Sequence, residues 1–449
     1  MPAARELSHA LGIDLGSSGL RLALVDSGGT PLVEHSNPYP GRFEDPEAWR
    51  QGVIDLIGRL TPAQRTHTRA IAIDGTSGTL LLCRPDGALA PAGLGEAIPY
   101  HRAFPELQQA AALLAADNAL ATSASGSLVR ALHLLEKAAD LEGVRAAELP
   151  QGSWWLRHQA DWLMGWLLGD WRWGEEGNNL RLGWDLQQGN WAGSIGRQSW
   201  SGALPRICPS GMVLGPLDAS TAKVLGLPST CLVVAGSTDA NAAVLATQPR
   251  AGDGIAVLGT TLVLKQFVAA PIGGAGISCH RIEGQWLVGG ASNAGAGILR
   301  RFFSDPQIAE LSRQIDPARP SGLMLRPMSQ VGERFPIDDP QLEPVLEPRP
   351  VSDALYLQAL LEGLGRIEAL GWQRLQELGA PPVQRVISLG GGARNPQWRA
   401  LRSRLLGIPV LNRPGLSAAL GMARLAARAL LRSAPPLGRM GTLTPFPSP

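Results

Sequence analysis

Cysteine is scarce and scattered. The chain has four, Cys83, Cys208, Cys231 and Cys279, and none stands in a CxxC pair. This excludes a disulfide frame or a zinc site and reads as free thiols in a reducing compartment. Charge of one sign is lacking as well. Charged residues make up 17% of the chain and the net charge is +2, which argues against a protein built to hold nucleic acid or an anionic membrane. No apolar run is long enough to span a bilayer, and Met1–His9 lacks the apolar core of a signal peptide. A soluble cytoplasmic protein is the expectation. Two nucleotide signatures are missing too. No GxxxxGK[ST] occurs, so there is no P-loop. Gly12 to Gly19 does not fit GxGxxG, and a strand rather than a helix follows, which sets aside the dinucleotide fold.

What is present is a globular composition, 45% apolar, in a chain of 449 residues. That is too long for one core, so two domains are expected. Fifty-four glycines and 36 prolines promise tight turns and loops lined by backbone. Short apolar strands are expected at Leu11–Asp14, Arg21–Asp26 and Pro31–His35, joined by a glycine-rich first turn. Asp45-Pro46 opens a helix with Trp49, Val53, Ile57 and Leu60 on one face. Strands at Arg69–Asp74 and Thr79–Arg84 follow, then helices at 105–116, 127–139 and 153–168. The tryptophans between Trp154 and Trp200 read most simply as packing, with a sugar platform as the alternative. Strands at Ile255–Leu258 and Leu262–Phe267, joined by Gly259-Thr260-Thr261, echo the opening in outline and suggest two related halves. A helix over about 352–378, a strand at Arg385–Leu389, and helices over 395–406 and from Ser417 to about Arg432 complete the chain. The boundary between the halves is expected near Asp239 and Ile255.

Four loops have residues suited to chemistry. Asp14-Leu15-Gly16-Ser17-Ser18-Gly19 places an acid at a strand end before small residues whose N–H groups and hydroxyls suit a phosphate. Asp14 can hold Mg²⁺ through water; the plainer reading is a capped hairpin turn. Gly236-Ser237-Thr238-Asp239 delivers an acid to a helix start, where it can take a proton from a hydroxyl or merely cap the helix. Gly259-Thr260-Thr261 is a phosphate-sized turn or an ordinary one. Gly390-Gly391-Gly392-Ala393-Arg394-Asn395-Pro396-Gln397-Trp398 allows close backbone approach to a ligand. Asn395 and Trp398 offer it a hydrogen bond and an aromatic face, and Asn395-Pro396 also suits a helix entry.

Taken in order, these loops resemble those of the FGGY carbohydrate kinases of the actin-like ATPase superfamily, from about Leu11 to Arg432. The likeness is greatest to the xylulokinase-like D-ribulose kinases of cyanobacteria and plants, through Asp14 to Arg21, Gly75-Thr76-Ser77-Gly78-Thr79 and Ser125–Lys137. The resemblance implies an α/β fold of two actin-like, ribonuclease H-like domains with a nucleotide and sugar cleft between them. Residues 10–245 would bind the sugar, 246–432 the nucleotide, and 433–449 would form a disordered tail. It implies an ATP- and Mg²⁺-dependent sugar kinase, monomeric or homodimeric, taking D-ribulose or else D-xylulose or another ketose or polyol. Asp239 would be the catalytic base. Asp14, Ser18, Gly19, Leu20, Arg21 and Ser77 would meet the sugar. Gly16, Ser17, Gly259, Thr260, Gly391, Gly392, Ala393, Arg394, Asn395 and Trp398 would meet ATP. One departure stands out. Relatives carry an acid in W-x-D-x-R or Y-N-D, where this chain reads Pro99-Tyr100-His101-Arg102. That leaves open an anionic substrate, or a sugar- or nucleotide-binding protein with degenerate catalysis.

Overall fold

The structure, a computed structural model, describes residues 8–91 and 93–433. The proline-rich stretch from Ala434, expected to be disordered, lies outside the described residues.

The opening meander forms three antiparallel strands, β1 (His9–Gly16), β2 (Gly19–Asp26) and β3 (Pro31–Asn37). With β4 (Thr68–Gly75), β5 (Val213–Pro216) and β6 (Leu232–Thr238) they make a six-stranded sheet of order β5-β6-β4-β1-β2-β3. β1, β4 and β6 run parallel. The second sheet has β7 (Asp253–Leu258), β8 (Leu262–Val268), β9 (Ile277–Ile282), β10 (Gln285–Ser292), β11 (Arg385–Leu389) and β12 (Val410–Asn412), in the order β9-β10-β8-β7-β11-β12. Here β7, β8 and β10 are antiparallel, and β7, β11 and β12 parallel. Both sheets therefore share one motif, three antiparallel strands flanked by two parallel ones, although in the second sheet β9 comes between β8 and β10 in the chain and pairs on the far side of β10. The echo between the two hairpins reflects a repeated topology that the residues themselves do not repeat.

Period-two alternation divides β1 cleanly. Leu11, Ile13 and Leu15 enter a core with Trp49 and Trp162, supplied by helices α1 (Pro46–Gly58) and α2 (Gln159–Leu168). Ala10 faces the opposite way, into a second core that both sheets share. That core holds α3 (Asp239–Ala246) and the last described helix, Ala418–Ser433. So a helix at the far end of the chain packs on the first sheet. Small residues make the approach possible. A Cβ on Gly12 would lie 2.0 Å from the Ala419 carbonyl oxygen, and one on Gly421 1.9 Å from that of Ala242. Gly12→Ala should therefore cost about 3 kcal/mol, at the upper end for overpacking. Gly58→Ala, where a Cβ meets nothing within 4 Å, should be neutral or slightly stabilising. Urea unfolding of the two variants checks this, and equal stabilities would contradict it.

Two expectations need correction. Residues 153–168 are not one helix. Trp155–His158 is a strand pairing antiparallel with Leu80–Cys83, and the helix starts at Gln159. The apolar Leu80–Cys83 run needs a partner for its backbone, and Trp155–His158 supplies it. The 105–116 segment is a short turn of 3₁₀ helix followed by a helix ending at Leu114. The tryptophans Trp154, Trp162, Trp166 and Trp200 are buried, as the packing reading expects. The four cysteines are free thiols. Among the described residues no helix is long and apolar enough to cross a membrane.

Candidate active site

The parallel strands β1, β4 and β6 end at Gly16, Gly75 and Thr238, on one edge of the first sheet. Register aligns their last polar residues. Asp14 lies opposite Arg21 on β2 and beside Asp74 on β4, and Asp74 lies beside Ser237 on β6. In-register neighbours project from the same face, so Arg21, Asp14, Asp74 and Ser237 form a row. Further back on that face, Ala10, Gly12, Ala70 and Ala72 admit the shared helices.

Asp14 is 2% exposed, and its Oδ2 accepts a hydrogen bond from Arg21 Nη1 at 2.8 Å. Asp74 is fully buried, and neither carboxyl oxygen has a hydrogen-bond partner. Burial first, then the negative charges of Asp14 and Asp239, push its pKa well above the usual carboxylate range. Asp239 opens α3. Its neighbour Thr238 is the N-cap, accepting from the Asn241 amide, so Asp239 is free of that duty and stands partly buried at N1. Burial raises its pKa to about 6, the hydrogen bond from the Ala240 amide lowers it, and Asp14 raises it again. In the same turn, Asn241 Nδ2 reaches Ser237 Oγ at 3.2 Å and His280 Nδ1 at 3.3 Å. His280 belongs to β9 of the second sheet, so Asp239 sits where the two domains meet.

The β1–β2 turn presents Ser17 and Ser18 to solvent, and the Gly16 carbonyl accepts from Tyr39 Oη at 2.8 Å. A Cβ on Gly19 would lie 2.5 Å from the Asn37 carbonyl oxygen. Leu20 is buried in the first core, so only its backbone is available to a ligand. After β4, Thr76 is fixed by Gln159, whose Oε1 accepts from its amide at 3.0 Å and its hydroxyl at 2.8 Å. Ser77 is partly buried.

On the second sheet the β7–β8 turn carries Gly259 and an exposed Thr260. The carbonyls of Gly259 and Thr260 accept from the amides of Ala296 and Gly297. The three late glycines now divide by cause. Gly390 has φ 83° and sits against the Leu258 carbonyl. A Cβ on Gly392 would lie 2.3 Å from the Trp398 ring, whereas one on Gly391 would meet nothing within 4 Å. Gly391 is thus the open position of the loop, with Arg394 exposed nearby and Ala393 buried. Asn395 caps helix α4 (Pro396–Leu406), accepting from the Trp398 amide at 3.0 Å, and its Nδ2 donates to Ser312 Oγ at 2.8 Å. Trp398 is 3% exposed in the second core. Its indole supports Gly392 from beneath and offers no open face to a base.

Arg102 does not extend the carboxylate row. Its side chain lines a separate cavity of about 760 Å³ with His133 and Lys137, while its carbonyl accepts from Arg130 Nε at 3.2 Å. Asp74, Asn241 and the Gly295–Gly297 segment were not singled out from sequence. Asp74 ends an apolar strand, as acids often do, and only its register with Asp14 gives it meaning. The signal for Gly295–Gly297 is the run of small residues from Gly289 to Gly297.

Two six-stranded sheets with a common core motif, and carboxylates gathered at the junction between them, define a two-domain α/β fold. Residues 251–430 match the FGGY family of carbohydrate kinases, C-terminal domain. The whole chain is similar to the xylulose kinase of Klebsiella pneumoniae, 26% identical over 97% of this chain and 92% of that protein. It is also similar to the xylulose kinase of Escherichia coli K12, 25% identical over 93% and 89%. The crystal structure of xylulose kinase from Rhodospirillum rubrum shares the fold, with TM-score 0.78 and 20% identity over 96% of this chain and 91% of that one. These likenesses support the FGGY carbohydrate kinase family and indicate an ATP-dependent sugar kinase.

Proposed function

We propose that the chain transfers the γ-phosphate of ATP to a hydroxyl of a five-carbon ketose, with D-ribulose as the preferred substrate. The observation that carries the reading is Asp239, a carboxylate of raised pKa at the domain junction, one turn from a residue bound to the second sheet. Residues 10–245 hold the sugar and 246–432 the nucleotide. Asp239 takes the proton from the attacking hydroxyl. Asp14, fixed by Arg21, orients the sugar, with Ser18, the Gly19 and Leu20 backbone and Ser77 beside it. The turns at Gly16-Ser17 and Gly259-Thr260 and the loop from Gly391 to Asn395 hold the phosphates and adenosine. Phosphoryl transfer asks the protein mainly for alignment and charge neutralisation, and the backbone N–H groups and hydroxyls of these turns suit that need.

The donor set fits Mg²⁺. Asp14 and Asp74 are hard oxygen ligands side by side, Asp74 with both oxygens unpartnered. No cluster of three or more metal-binding side chains occurs among the described residues. One or two carboxylates completed by water and phosphate is the usual way this ion is held. It would neutralise charge on the phosphates.

D-xylulose is the second reading, favoured by the names of the full-length relatives. A panel of ketoses and polyols with Mg²⁺-ATP, followed by ADP release, is the test. D-ribulose should give the highest kcat/KM. A higher value for D-xylulose reverses the order. Sugar binding by calorimetry with no ADP released from any member would leave a binding protein and overturn the kinase reading of this site.

A further inference from the structure

The cavity of about 760 Å³ beside Arg102 lies apart from the carboxylate row, and the reaction proposed above leaves it unused. Its size suits a small organic ligand. Three of its ionic side chains satisfy one another. Arg42 pairs with Glu44 at 3.7 Å and with Glu96 at 2.9 Å. The other cations do not. Arg102 and Lys137 are exposed, and among the described residues neither forms an ion pair. Asp140 also lines the wall, a turn beyond Lys137 on the same helix, and leaves it unpaired. Half-buried His133 stands with these cations. Its ring stacks on Phe104 with centroids 4.4 Å apart, and the Arg102 guanidinium lies 6.0 Å from the centre of that Phe104 ring. Burial first, then Lys137 and more weakly Arg102, hold the His133 imidazole below its ordinary pKa against the pull of Glu136 and Glu106. An anion among the three basic groups would relieve their mutual repulsion. The apolar wall of Ile98, Leu134 and Leu141 suits an organic body attached to it.

One helix ties this cavity to the Ser77 loop. Ser127–Glu142 carries His133 and Lys137 and, a turn before His133, Arg130. Arg130 is fully buried. Its Nε donates to the Arg102 carbonyl at 3.2 Å, its Nη1 to the Gly78 carbonyl at 2.9 Å, and its Nη2 to the Tyr100 carbonyl. Ile98 and Leu80 exchange backbone hydrogen bonds of 2.8 and 3.1 Å, and the Tyr100 amide donates to Thr79 Oγ1 at 3.2 Å. Gly78 follows Ser77 directly. A movement of Arg102 or of the helix around a ligand is therefore passed to the Ser77 loop through one guanidinium and one paired segment.

We propose that this cavity is a second ligand site, taking a small phosphate monoester between Arg102, His133 and Lys137, and that its occupancy alters sugar binding at Ser77. A dianion with three free oxygens matches three basic groups better than a carboxylate does. The coupling rests on the reading of Ser77 as part of the sugar site, and the second site goes beyond it.

Calorimetric titration of the full chain with D-ribose 5-phosphate and with AMP tests the site and separates a sugar phosphate from a nucleotide as its source. At least one ester should bind. Arg102→Gln with Lys137→Gln should weaken that binding about 10- to 100-fold, the range for lost hydrogen bonds to a charged group. In wild type the bound ester should change the Kd of D-ribulose about fivefold or more, as coupled sites do. The double variant should show no such change, whereas an ester competing at the sugar site itself would act on both proteins alike. Failure of both esters to bind, undiminished binding by the double variant, or a ketose Kd that the ester leaves unmoved overturns the proposal. These are binding measurements, so they hold with or without turnover of ATP. A chain that binds the ester but no ketose would refute the sugar-site reading and the coupling, and leave the ester site standing.

Discussion

Asp239→Asn is expected to lower kcat about 10²- to 10⁴-fold, the worth of a general base, with ATP affinity near that of wild type. The substitution keeps size and shape and removes only the ability to hold a proton. Wild type should lose activity as pH falls through about 6, because the base works as its anion and burial has raised its pKa to that value. The variant should lose this acid limb. Stability should move the other way. The folded-state pKa lies above the ordinary 3.8 of an aspartate, so the folded chain binds the proton more tightly than the unfolded chain. That contribution is full below the unfolded pKa and is lost as pH rises through about 6, leaving a desolvated charge at neutral pH. Asp239→Asn should therefore melt above wild type near about pH 8, with the gap closing toward about pH 4. Steady-state ADP release and thermal unfolding at the two pH values measure both. Full turnover by the variant, or an unmoved acid limb, would remove Asp239 from the role of base.

Such a trade of stability for chemistry was half legible in the sequence. Asp14 and Asp239 could be found because each follows an apolar strand and precedes small residues. The turns at Gly16, Gly259 and Gly391 stood out because glycine concentrates there. Asp74 could not be found in this way, since its significance comes from the register of β4 against β1 and β6, which no local pattern encodes. Trp398 shows the opposite failure. Its spacing after three glycines suggested an aromatic face for a base, and the ring lies instead in the core under Gly392, whose missing side chain it fills. The helix Ala418–Ser433 was readable as a helix, but nothing in its own residues says that it returns to the first sheet. Only Gly12 and Gly421, small where two backbones cross, mark that contact.

A second large effect is expected far from the carboxylate row. Glu368, on the long helix Asp353–Glu377, and Arg402, on α4, are 1% and 0% exposed. Arg402 Nε and Nη2 donate to the two carboxyl oxygens of Glu368 at 2.5 and 2.7 Å. Trp372 Nε1 adds a third donor to Glu368 at 3.2 Å, and Arg402 Nη1 donates to Ser388 Oγ at 2.7 Å. Ser388 stands on β11 two residues before Gly390, so this pair joins two helices and the strand that delivers the glycine loop. Removing one member strands the other charge in a dry interior, and Glu368→Leu should cost about 3–5 kcal/mol of unfolding free energy. Glu368→Leu with Arg402→Met removes both charges and should recover most of that loss, because a buried pair often contributes little beyond an apolar replacement. Where the single variant remains folded, its KM for ATP should rise while its KM for sugar changes little, since the frame it disturbs belongs to the second domain. Urea unfolding of the three proteins, with both KM values, decides the matter. A double variant no more stable than the single one would mean that the ion pair itself, rather than the penalty for an unpaired charge, holds this part of the fold together.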